Sequence, residues 1–361
     1  MKRYAIIAGT PYTLLSAINL VVNVIPRGCE TDLFVRSISS MNEYIEKTKK
    51  TNIFTNVYRF KLRDKENTIG YYIYDLKQAA LPKSYLKEIL DGSIRLDRKN
   101  YDYITVSSGF DVEMALIRTF PNAKQIAIDD GLGSYVGDIV HDHELSWMWK
   151  IFGRNNAKIH PEVLYVNNVN ACRSIMCRDI RSIRGDRDKL LEIDSVMSIV
   201  FGNTIKGTYS KARFVYLTQP LRELGFRENI LDNVIHDIRN TLGHNLIVRI
   251  HPRDQKQYSE FTVDTDNQLW EIICKEEIND SKCLIGICST AHIMPKLLFD
   301  AEPAIIFLYR LLEWEDNNEA LMRFKNIERM ITDMYRDKSK IIVPLNFTEF
   351  KERIEELAGN E

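Results

Sequence analysis

The chain has 361 residues, 45% of them apolar, and a formal net charge of −1 at pH 7. This length and apolar content allow two ordinary domains with buried cores. The near-zero charge excludes a general electrostatic attraction to nucleic acid, so any anionic ligand must be met by locally placed arginines and lysines.

The N-terminal segment has an apolar run, but glycine, threonine, proline, tyrosine and serine interrupt it and no small-residue cleavage site follows. It is interpreted as a strand from Tyr4 to Ala8, a tight turn and a helix to about Val24. No uninterrupted apolar run is long enough to span a bilayer. The six cysteines form no CxxC pair and several lie in apolar segments, so we expect a soluble, cytoplasmic protein with buried thiols.

The turn between this first strand and helix is a candidate ligand-binding junction. Free backbone amides at Gly9 and Thr10 could hold an anion or a sugar hydroxyl, since Pro11 opens the helix directly after them. The segment lacks a GxGxxG pattern and is therefore not a dinucleotide fingerprint.

The first half of the chain alternates strand and helix patterns, which is typical of a parallel sheet with crossover helices. The turns Ser107-Ser108-Gly109 and Asp129-Asp130-Gly131 each follow a predicted strand, so both should open onto one carboxyl edge. The further strands are predicted at Asp32 to Val35, Val57 to Phe60, Ile104 to Val106 and Gln125 to Ile128, with helices at Met41 to Lys49 and Val112 to Thr119.

The second half restarts the same alternation after a charged segment, residues 181–211, that shows no strong strand signal. We therefore predict two domains, 1–205 and 206–361, with a last helix that could pack back on the first domain. The predicted strands are Phe214 to Thr218, the stretch from Leu246, Cys283 to Ile287 and Ala304 to Leu308, and the helices are Glu228 to Leu242, Ala291 to Phe299 and Phe347 to Leu357.

The stretch LIVRIHPRD places His251 at the carboxyl end of a buried strand, because Pro252 cannot continue the ladder. Ligands of open α/β sheets bind outside such ends, and Arg249 and Arg253 suit a phosphate-bearing ligand. The alternative is a capped loop histidine without a ligand.

Two adjacent carboxylates, Asp129 and Asp130, also follow a strand. Their mutual repulsion and burial would raise a carboxyl pKa, which suits a base that removes a proton from a hydroxyl. The alternative is an ordinary Asp-Gly turn at the surface.

Three further residues are candidates for the same ligand. Ser289 and Thr290 start a helix and offer hydroxyls and amides to a phosphate, although such a pair is also an ordinary N-cap. Glu271 could accept from ribose hydroxyls or a base amino group, or be one more solvated helix charge. The run from His141 to Glu144 resembles a metal site, but no third distant ligand stands out, so no metal is expected.

The motifs IDDGLGSY, RIHPR and ICST, together with the opening AGTPYTLLSAINL, resemble the bacterial sialyltransferases of glycosyltransferase family 52 and their relatives. The resemblance spans residues 1 to about 300. It implies a GT-B architecture, in which two Rossmann-like domains face each other across a cleft and the second holds the nucleotide sugar, CMP-sialic acid.

The resemblance also implies roles for individual residues. Asp130 or Asp129 would be the base on the acceptor hydroxyl, and His251 the acid at the CMP phosphate. Ser289 and Thr290 would bind that phosphate and Glu271 the ribose or cytosine. Glu223 is an alternative base. Further donor-site candidates are Gly131, Arg249, Pro252, Arg253, Gly9 and Thr10.

We therefore expect an inverting, metal-independent sialyltransferase that acts on a glycan hydroxyl, such as terminal galactose, in capsule or lipooligosaccharide synthesis. It would need no cofactor beyond the donor substrate and would bind no nucleic acid. A homodimer and peripheral association with the inner face of the membrane are compatible with this role. The alternatives are a GT-B enzyme that uses UDP-galactose or UDP-glucose, and a noncatalytic nucleotide-binding subunit of a glycan assembly complex.

Overall fold

The computed structural model describes residues 1–61, 77–78, 80–90, 100–107, 111–136, 159–174, 177–185, 189–203, 207–226, 230–265, 268–314 and 319–359. The chain divides into two compact units, Met1–Gly202 and Asn203–Glu361. Ser108, Gly109 and the run from His141 to Glu144 lie outside the described residues, so those predictions are not addressed by the structure.

The first unit contains a parallel sheet with seven described strands in the order β3-β2-β1-β4-β5-β6-β7. All five predicted strands are present with slightly different ends. The short strands β6 and β7 were not predicted, and β7 carries mostly exposed side chains at the sheet edge, so no apolar run marks it. The strands are β1 Arg3–Ala8, β2 Glu30–Arg36, β3 Asn56–Phe60, β4 Tyr103–Val106, β5 Lys124–Ile128, β6 Val163–Val166 and β7 Ile180–Ser182.

The central strands of this sheet are buried along nearly their whole length. Every residue of β1 from Tyr4 to Ala8 is buried, and so are the five central residues of β2. Burial of both alternating side-chain sets is typical of a parallel sheet covered on both faces. The core of the first unit is therefore built around β1 and β2.

The described α-helices of the first unit are Pro11–Asn19, Ser39–Thr51, Pro82–Ile89, Asp111–Thr119, Gly133–Val136 and Leu190–Phe201. The predicted first helix has the expected extent, but its last turn, Leu20–Val24, is π-helical. The charged segment 181–211 contains the helix Leu190–Phe201, whose apolar face packs against Ser39–Thr51.

The second unit has a parallel sheet with five described strands in the order β12-β11-β10-β8-β9. Four of them were predicted, and β12 is only two residues long. The strands are β8 Phe214–Leu217, β9 Leu246–Arg249, β10 Cys283–Gly286, β11 Ala304–Phe307 and β12 Ile341–Ile342, and the described α-helices are Asp232–Leu242, Trp270–Glu277, Thr290–Phe299, Glu319–Met334 and Phe347–Gly359.

The last helix, Phe347–Gly359, packs against Asp232–Leu242 within the second unit. Phe350 and Ile354 on this helix are fully buried, and Arg213 Nη1 donates to the Leu357 carbonyl oxygen at 2.8 Å. In the structure, this helix is thus part of the second unit.

Each sheet has a point where the strand order reverses, which is where open α/β sheets bind ligands at the strands' carboxyl ends. In the first unit this point lies between β1 and β4, and in the second between β8 and β10. The loops that follow these strands and their neighbours contain most of the residues selected from the sequence.

Candidate functional site

Side-chain hydrogen bonds connect the loops at the reversal point of the second sheet. Gln219, after β8, donates its amide Nε2 to the Cys288 carbonyl oxygen at 2.8 Å and accepts the Cys288 backbone N–H at 3.1 Å. This pairing holds the start of the Ser289 segment beside the end of β8. Gln219 was not among the residues predicted from the sequence, although it follows the end of a predicted strand.

His251 lies on the other side of β8, in the loop after β9. Its backbone N–H donates to Thr218 Oγ1 at 2.9 Å, and its Nδ1 accepts the Arg253 backbone N–H at 3.1 Å. Because Nδ1 accepts this bond, the neutral ring must carry its proton on Nε2. His251 can therefore present an Nε2–H donor to a ligand.

The His251 ring is half-buried, and this burial, followed by the charge of Arg253, lowers its pKa from the ordinary value. Glu223 and Asp254 oppose the shift. Arg253 and Glu223 form an ion pair with each other, and both side chains are largely exposed. The imidazole is thus mainly neutral at pH 7 unless an anion binds beside it.

Ser289 precedes the helix Thr290–Phe299, and both Ser289 and Thr290 are half-buried at the helix start. Glu271 is buried in the first turn of the helix Trp270–Glu277. Trp270 Nε1 donates to the Ala291 carbonyl oxygen at 2.8 Å. This bond brings the Glu271 helix next to the Ser289 helix start.

Arg249, selected as a phosphate ligand, is instead held within the protein. Its guanidinium pairs with the buried carboxylate of Asp264, donates to the Gln268 carbonyl oxygen at 2.5 Å and lies 5.6 Å from the centre of the Trp270 ring. Tyr209 donates its hydroxyl to the same carboxylate. These contacts favour a structural role for Arg249, because a phosphate would have to displace the Asp264 ion pair.

At the carboxyl edge of the first sheet, the two adjacent aspartates have different surroundings. Asp129 is fully buried and its oxygens accept four hydrogen bonds: from Gly131 N at 2.9 Å, Tyr135 Oη at 2.5 Å, Asn167 N at 3.1 Å and Asn167 Nδ2 at 2.9 Å. Asp130 is half-buried, and its backbone N–H donates to Ser134 Oγ at 2.8 Å. The geometry thus favours Asp130 over Asp129 as the group that meets a ligand.

Glycine is required in this turn. Gly131 has a φ of +88°, a region that side chains disfavour, and it allows its N–H to point back at Asp129. The acidic motif therefore folds as an Asp-Gly turn around a buried carboxylate. The predicted Asp-Gly turn is present, but it encloses a buried carboxylate and does not lie fully at the surface.

The junction after β1 differs from the expectation of free amides. Thr13 Oγ1 accepts the backbone N–H groups of both Gly9 and Thr10 at 2.9 Å, and Thr10 Oγ1 in turn accepts the Thr13 N–H at 3.2 Å. This reciprocal cap satisfies the amides that an anion would need. Gly9 and Thr10 are thus engaged in capping the helix Pro11–Asn19.

Two buried polar residues at this edge were not selected from the sequence. Glu113 Oε1 accepts both the Ser107 N–H and the Ser107 hydroxyl at 3.0 Å, and Asn167 donates to Tyr12 Oη at 3.4 Å as well as to Asp129. Glu113 lies within a helix and Asn167 in a loop, and no periodic pattern in the sequence distinguishes either residue. They order the edge on either side of β5.

Within the described ranges, no group of three or more histidine, cysteine, aspartate or glutamate side chains is placed to hold a metal ion. No helix of the described residues is both long and apolar enough to cross a membrane. All six cysteines are free, and five of them are buried, as their apolar surroundings predicted.

No protein-family model matches this sequence, and none of the curated proteins does. The structure, in contrast, resembles solved structures over almost the whole chain. A spinosyn rhamnosyltransferase aligns with a TM-score of 0.55 at 10% identity, covering 99% of this chain and 90% of that chain. The kitacinnamycin glycosyltransferase gives 0.54 at 10%, covering 99% and 91%.

A UDP-GlcNAc 2-epimerase from Methanocaldococcus jannaschii is equally similar, with a TM-score of 0.54 at 11% identity, covering 99% of this chain and 93% of that chain. At these identities the likeness shows the fold alone. The predicted fold class is confirmed: the chain is an α/β protein of the GT-B type with two parallel sheets.

Proposed function

We propose that the protein is an inverting glycosyltransferase that transfers sialic acid from CMP-sialic acid to a hydroxyl of a glycan, such as terminal galactose. The observation that carries the proposal is the arrangement at the carboxyl edge of the second sheet. There, the Nε2–H of His251 and the hydroxyls of Ser289 and Thr290 flank β8 from its two neighbouring strands. The GT-B fold is consistent with a nucleotide-sugar substrate.

The chemistry follows from the charge that develops on the donor. As the bond between the sugar and CMP breaks, negative charge grows on the phosphate, so donors fixed in advance stabilise that transition state. His251 and Ser289 are separated by one strand, about 10 Å between backbones at the usual spacing, and their side chains can converge on a phosphate above β8. Burial keeps the ring neutral, and the bound phosphate would raise its pKa, so that the ring takes up a proton that it can pass to the leaving phosphate.

The base on the acceptor hydroxyl is assigned to Asp130. Its side chain is half-buried, whereas Asp129 is fully buried beneath it. Glu223 is the alternative base, and its ion pair with Arg253 would have to open before it could accept a proton. Glu271, at the helix next to Ser289, is assigned to the ribose or the cytosine.

We also propose a cellular location for this reaction. Synthesis of capsule or lipooligosaccharide would place the enzyme in the cytoplasm at the inner face of the membrane, with peripheral association and a homodimer compatible with that role. The donor and the acceptor glycan are its partners, and no metal or other cofactor takes part.

Two of the similar structures favour alternative functions. The spinosyn rhamnosyltransferase was also solved with thymidine diphosphate, so a donor other than CMP-sialic acid, such as UDP-galactose or UDP-glucose, is the nearest rival. The UDP-GlcNAc 2-epimerase shares the fold over the same length, so isomerisation of a nucleotide sugar is the second. A noncatalytic nucleotide-binding subunit would bind without turnover.

A panel of CMP-, UDP- and TDP-sugars tests the proposed function and its alternatives together. The purified protein is incubated with each sugar, with and without glycan acceptors, while nucleotide release, sugar isomers and the thermal shift are measured. We expect stabilisation by CMP and release of CMP from CMP-sialic acid. Release of UDP would support the rival transferase, and isomers without release would support the epimerase.

A matched pair of variants ties the activity to the site. His251→Ala should slow both transfer and donor hydrolysis by a factor of about 10²–10⁴, typical of losing a positioned acid. His244→Ala is the control, because this exposed histidine lies just before the amino end of the same strand. Equal activity of both variants would contradict the role of His251.

A further inference from the structure

A second histidine lies beneath the Ser289 helix start. His292 is fully buried, its Nδ1 accepts the Ser289 backbone N–H at 3.2 Å, and its Nδ1 lies 3.0 Å from Ser289 Oγ. It is the third residue of the helix Thr290–Phe299, so its side chain can reach back to the residue that precedes the helix. The proposed function does not use this residue.

The hydrogen bond from Ser289 determines where the His292 proton lies. Because Nδ1 accepts the backbone N–H, the neutral ring carries its hydrogen on Nε2. Burial lowers the pKa of His292 to about 4, so the ring is neutral and an acceptor at pH 7. A neutral imidazole nitrogen has one in-plane lone pair. Both Ser289 donors, the backbone N–H and the hydroxyl, lie within hydrogen-bond distance of this lone pair, so a ligand that takes the hydroxyl hydrogen leaves Nδ1 to the backbone N–H.

The His292 ring is closely packed against β10. A Cβ atom at Gly286 would lie 2.7 Å from His292 Nε2 and 2.6 Å from the Leu217 carbonyl oxygen, so only glycine leaves room for the ring beside β10. The Phe307 ring packs against it, with centroids 5.3 Å apart. This packed ring contacts both the backbone N–H and the hydroxyl of Ser289 and so restrains where the hydroxyl lies.

We propose that His292 is a positioning residue of the donor phosphate site, which it serves by fixing Ser289 at the reversal point between β8 and β10. This inference rests on the proposed binding of a nucleotide phosphate by Ser289. A purely structural cap would affect stability alone. A positioning role must also affect nucleotide affinity, and it must do so through the Ser289 hydroxyl.

Two substitutions at the same position distinguish these roles. His292→Asn keeps a side-chain oxygen that can accept the Ser289 N–H, whereas His292→Leu fills the apolar site without an acceptor. We expect CMP to bind His292→Leu about tenfold more weakly, the change that corresponds to one ordinary hydrogen bond, and to bind His292→Asn within about threefold of wild type. In turnover, the KM for CMP-sialic acid should rise more than kcat falls.

The control is His236→Leu. His236 is an exposed histidine of the same unit, and its Nδ1 lies 3.0 Å from Asn240 Nδ2 on the helix Asp232–Leu242. This variant should bind CMP as wild type does. Combined with Ser289→Ala, in contrast, His292→Leu should have little further effect, because the hydroxyl it positions is then absent.

The outcomes separate this inference from the proposed function. If wild-type protein binds none of the nucleotides, both fail. If wild type binds CMP and the folded His292→Leu variant binds it equally well, only the positioning role fails. Equal losses in the Leu and Asn variants, in proportion to their loss of thermal stability, would also overturn it. Nitrogen-15 chemical shifts of the ring, measured without ligand, should show the Nε2–H tautomer, and the opposite tautomer would refute the contact.

Discussion

Substitution of Asp129 and Asp130 by asparagine, one at a time, should distinguish a structural carboxylate from a catalytic one. Asp129→Asn keeps the shape of the buried side chain but replaces one acceptor oxygen with an amide donor. In the structure, one oxygen faces the Gly131 N–H, and the other faces Tyr135 Oη and two donors of Asn167. The amide can keep its oxygen toward three donors only by directing its NH₂ group at Gly131.

The magnitude follows from this geometry. A hydrogen bond to a charged group contributes about 1.5–3 kcal/mol and one to a neutral group about 0.5–1.5 kcal/mol, and a buried unsatisfied donor costs about 1–3 kcal/mol. Three weakened bonds, together with the Gly131 N–H and the new NH₂ group left facing each other as unsatisfied donors, should destabilise the first unit by about 3–5 kcal/mol, since neighbouring terms overlap. Asp130→Asn should be less destabilising, because this side chain is only half-buried.

Activity should show the opposite order. Transfer by Asp130→Asn should fall by a factor of about 10²–10⁴, while its CMP-induced thermal shift stays close to wild type. The assay is urea unfolding followed by circular dichroism and limited proteolysis, with transfer rates measured where each variant is folded. An Asp129→Asn variant as stable as wild type would refute the structural reasoning. Wild-type transfer by Asp130→Asn, with Glu223→Gln inactive, would move the base to the second unit.

Three further expectations can be checked with the same protein. Arg249→Gln should lower the unfolding free energy by about 3 kcal/mol in urea unfolding, because it leaves the Asp264 carboxylate, whose side chain is 1% exposed, without its cation. Arg253→Gln should lower it by less than about 1 kcal/mol, because Arg253 pairs with the exposed Glu223. Folding lowers the pKa of His292 from 6.5 to about 4, so the full stabilisation by its neutral form is present above pH 6.5 and up to about 3 kcal/mol of unfolding free energy is lost as the pH falls toward 4. In thermal scans, His292→Leu should lose less stability than wild type over this pH range, and equal losses would contradict the assignment. EDTA should leave nucleotide release unchanged, and a loss restored by one divalent ion would show that a metal takes part.

Most strand and helix positions could be predicted because their signals are local. A short β-branched run, a turn residue and an amphipathic repeat each lie within one segment, so β8 to β11 and the helices Asp232–Leu242, Thr290–Phe299 and Phe347–Gly359 were found with ends shifted by a few residues. Strands β6, β7 and β12 were not predicted, nor were the helices Pro82–Ile89, Gly133–Val136 and Glu319–Met334 and, in the charged segment, the helix Leu190–Phe201. β7 is short and exposed, and the helix lies in a segment that its charges made look like a linker.

The candidate site shows where local signals end. The sequence placed His251, Ser289 and the two aspartates at strand ends, and the structure places them there. It could not distinguish Asp129 from Asp130, because the difference arises from Asn167, which is 38 residues from Asp129. It also assigned Arg249 to a phosphate, because nothing in RIHPR reveals the ion pair with Asp264.

The sequence by itself thus determined the order of the elements and the chemistry available at the strand ends, since both depend on residue type and short spacing. The tertiary structure decided which of those groups face a ligand. Gln219 binds Cys288 across 69 residues, and Thr13 occupies the amides of Gly9 and Thr10. Whether a polar group is available depends on the partners that folding brings to it, and for Asp129, Arg249 and Gln219 those partners come from other segments of the chain.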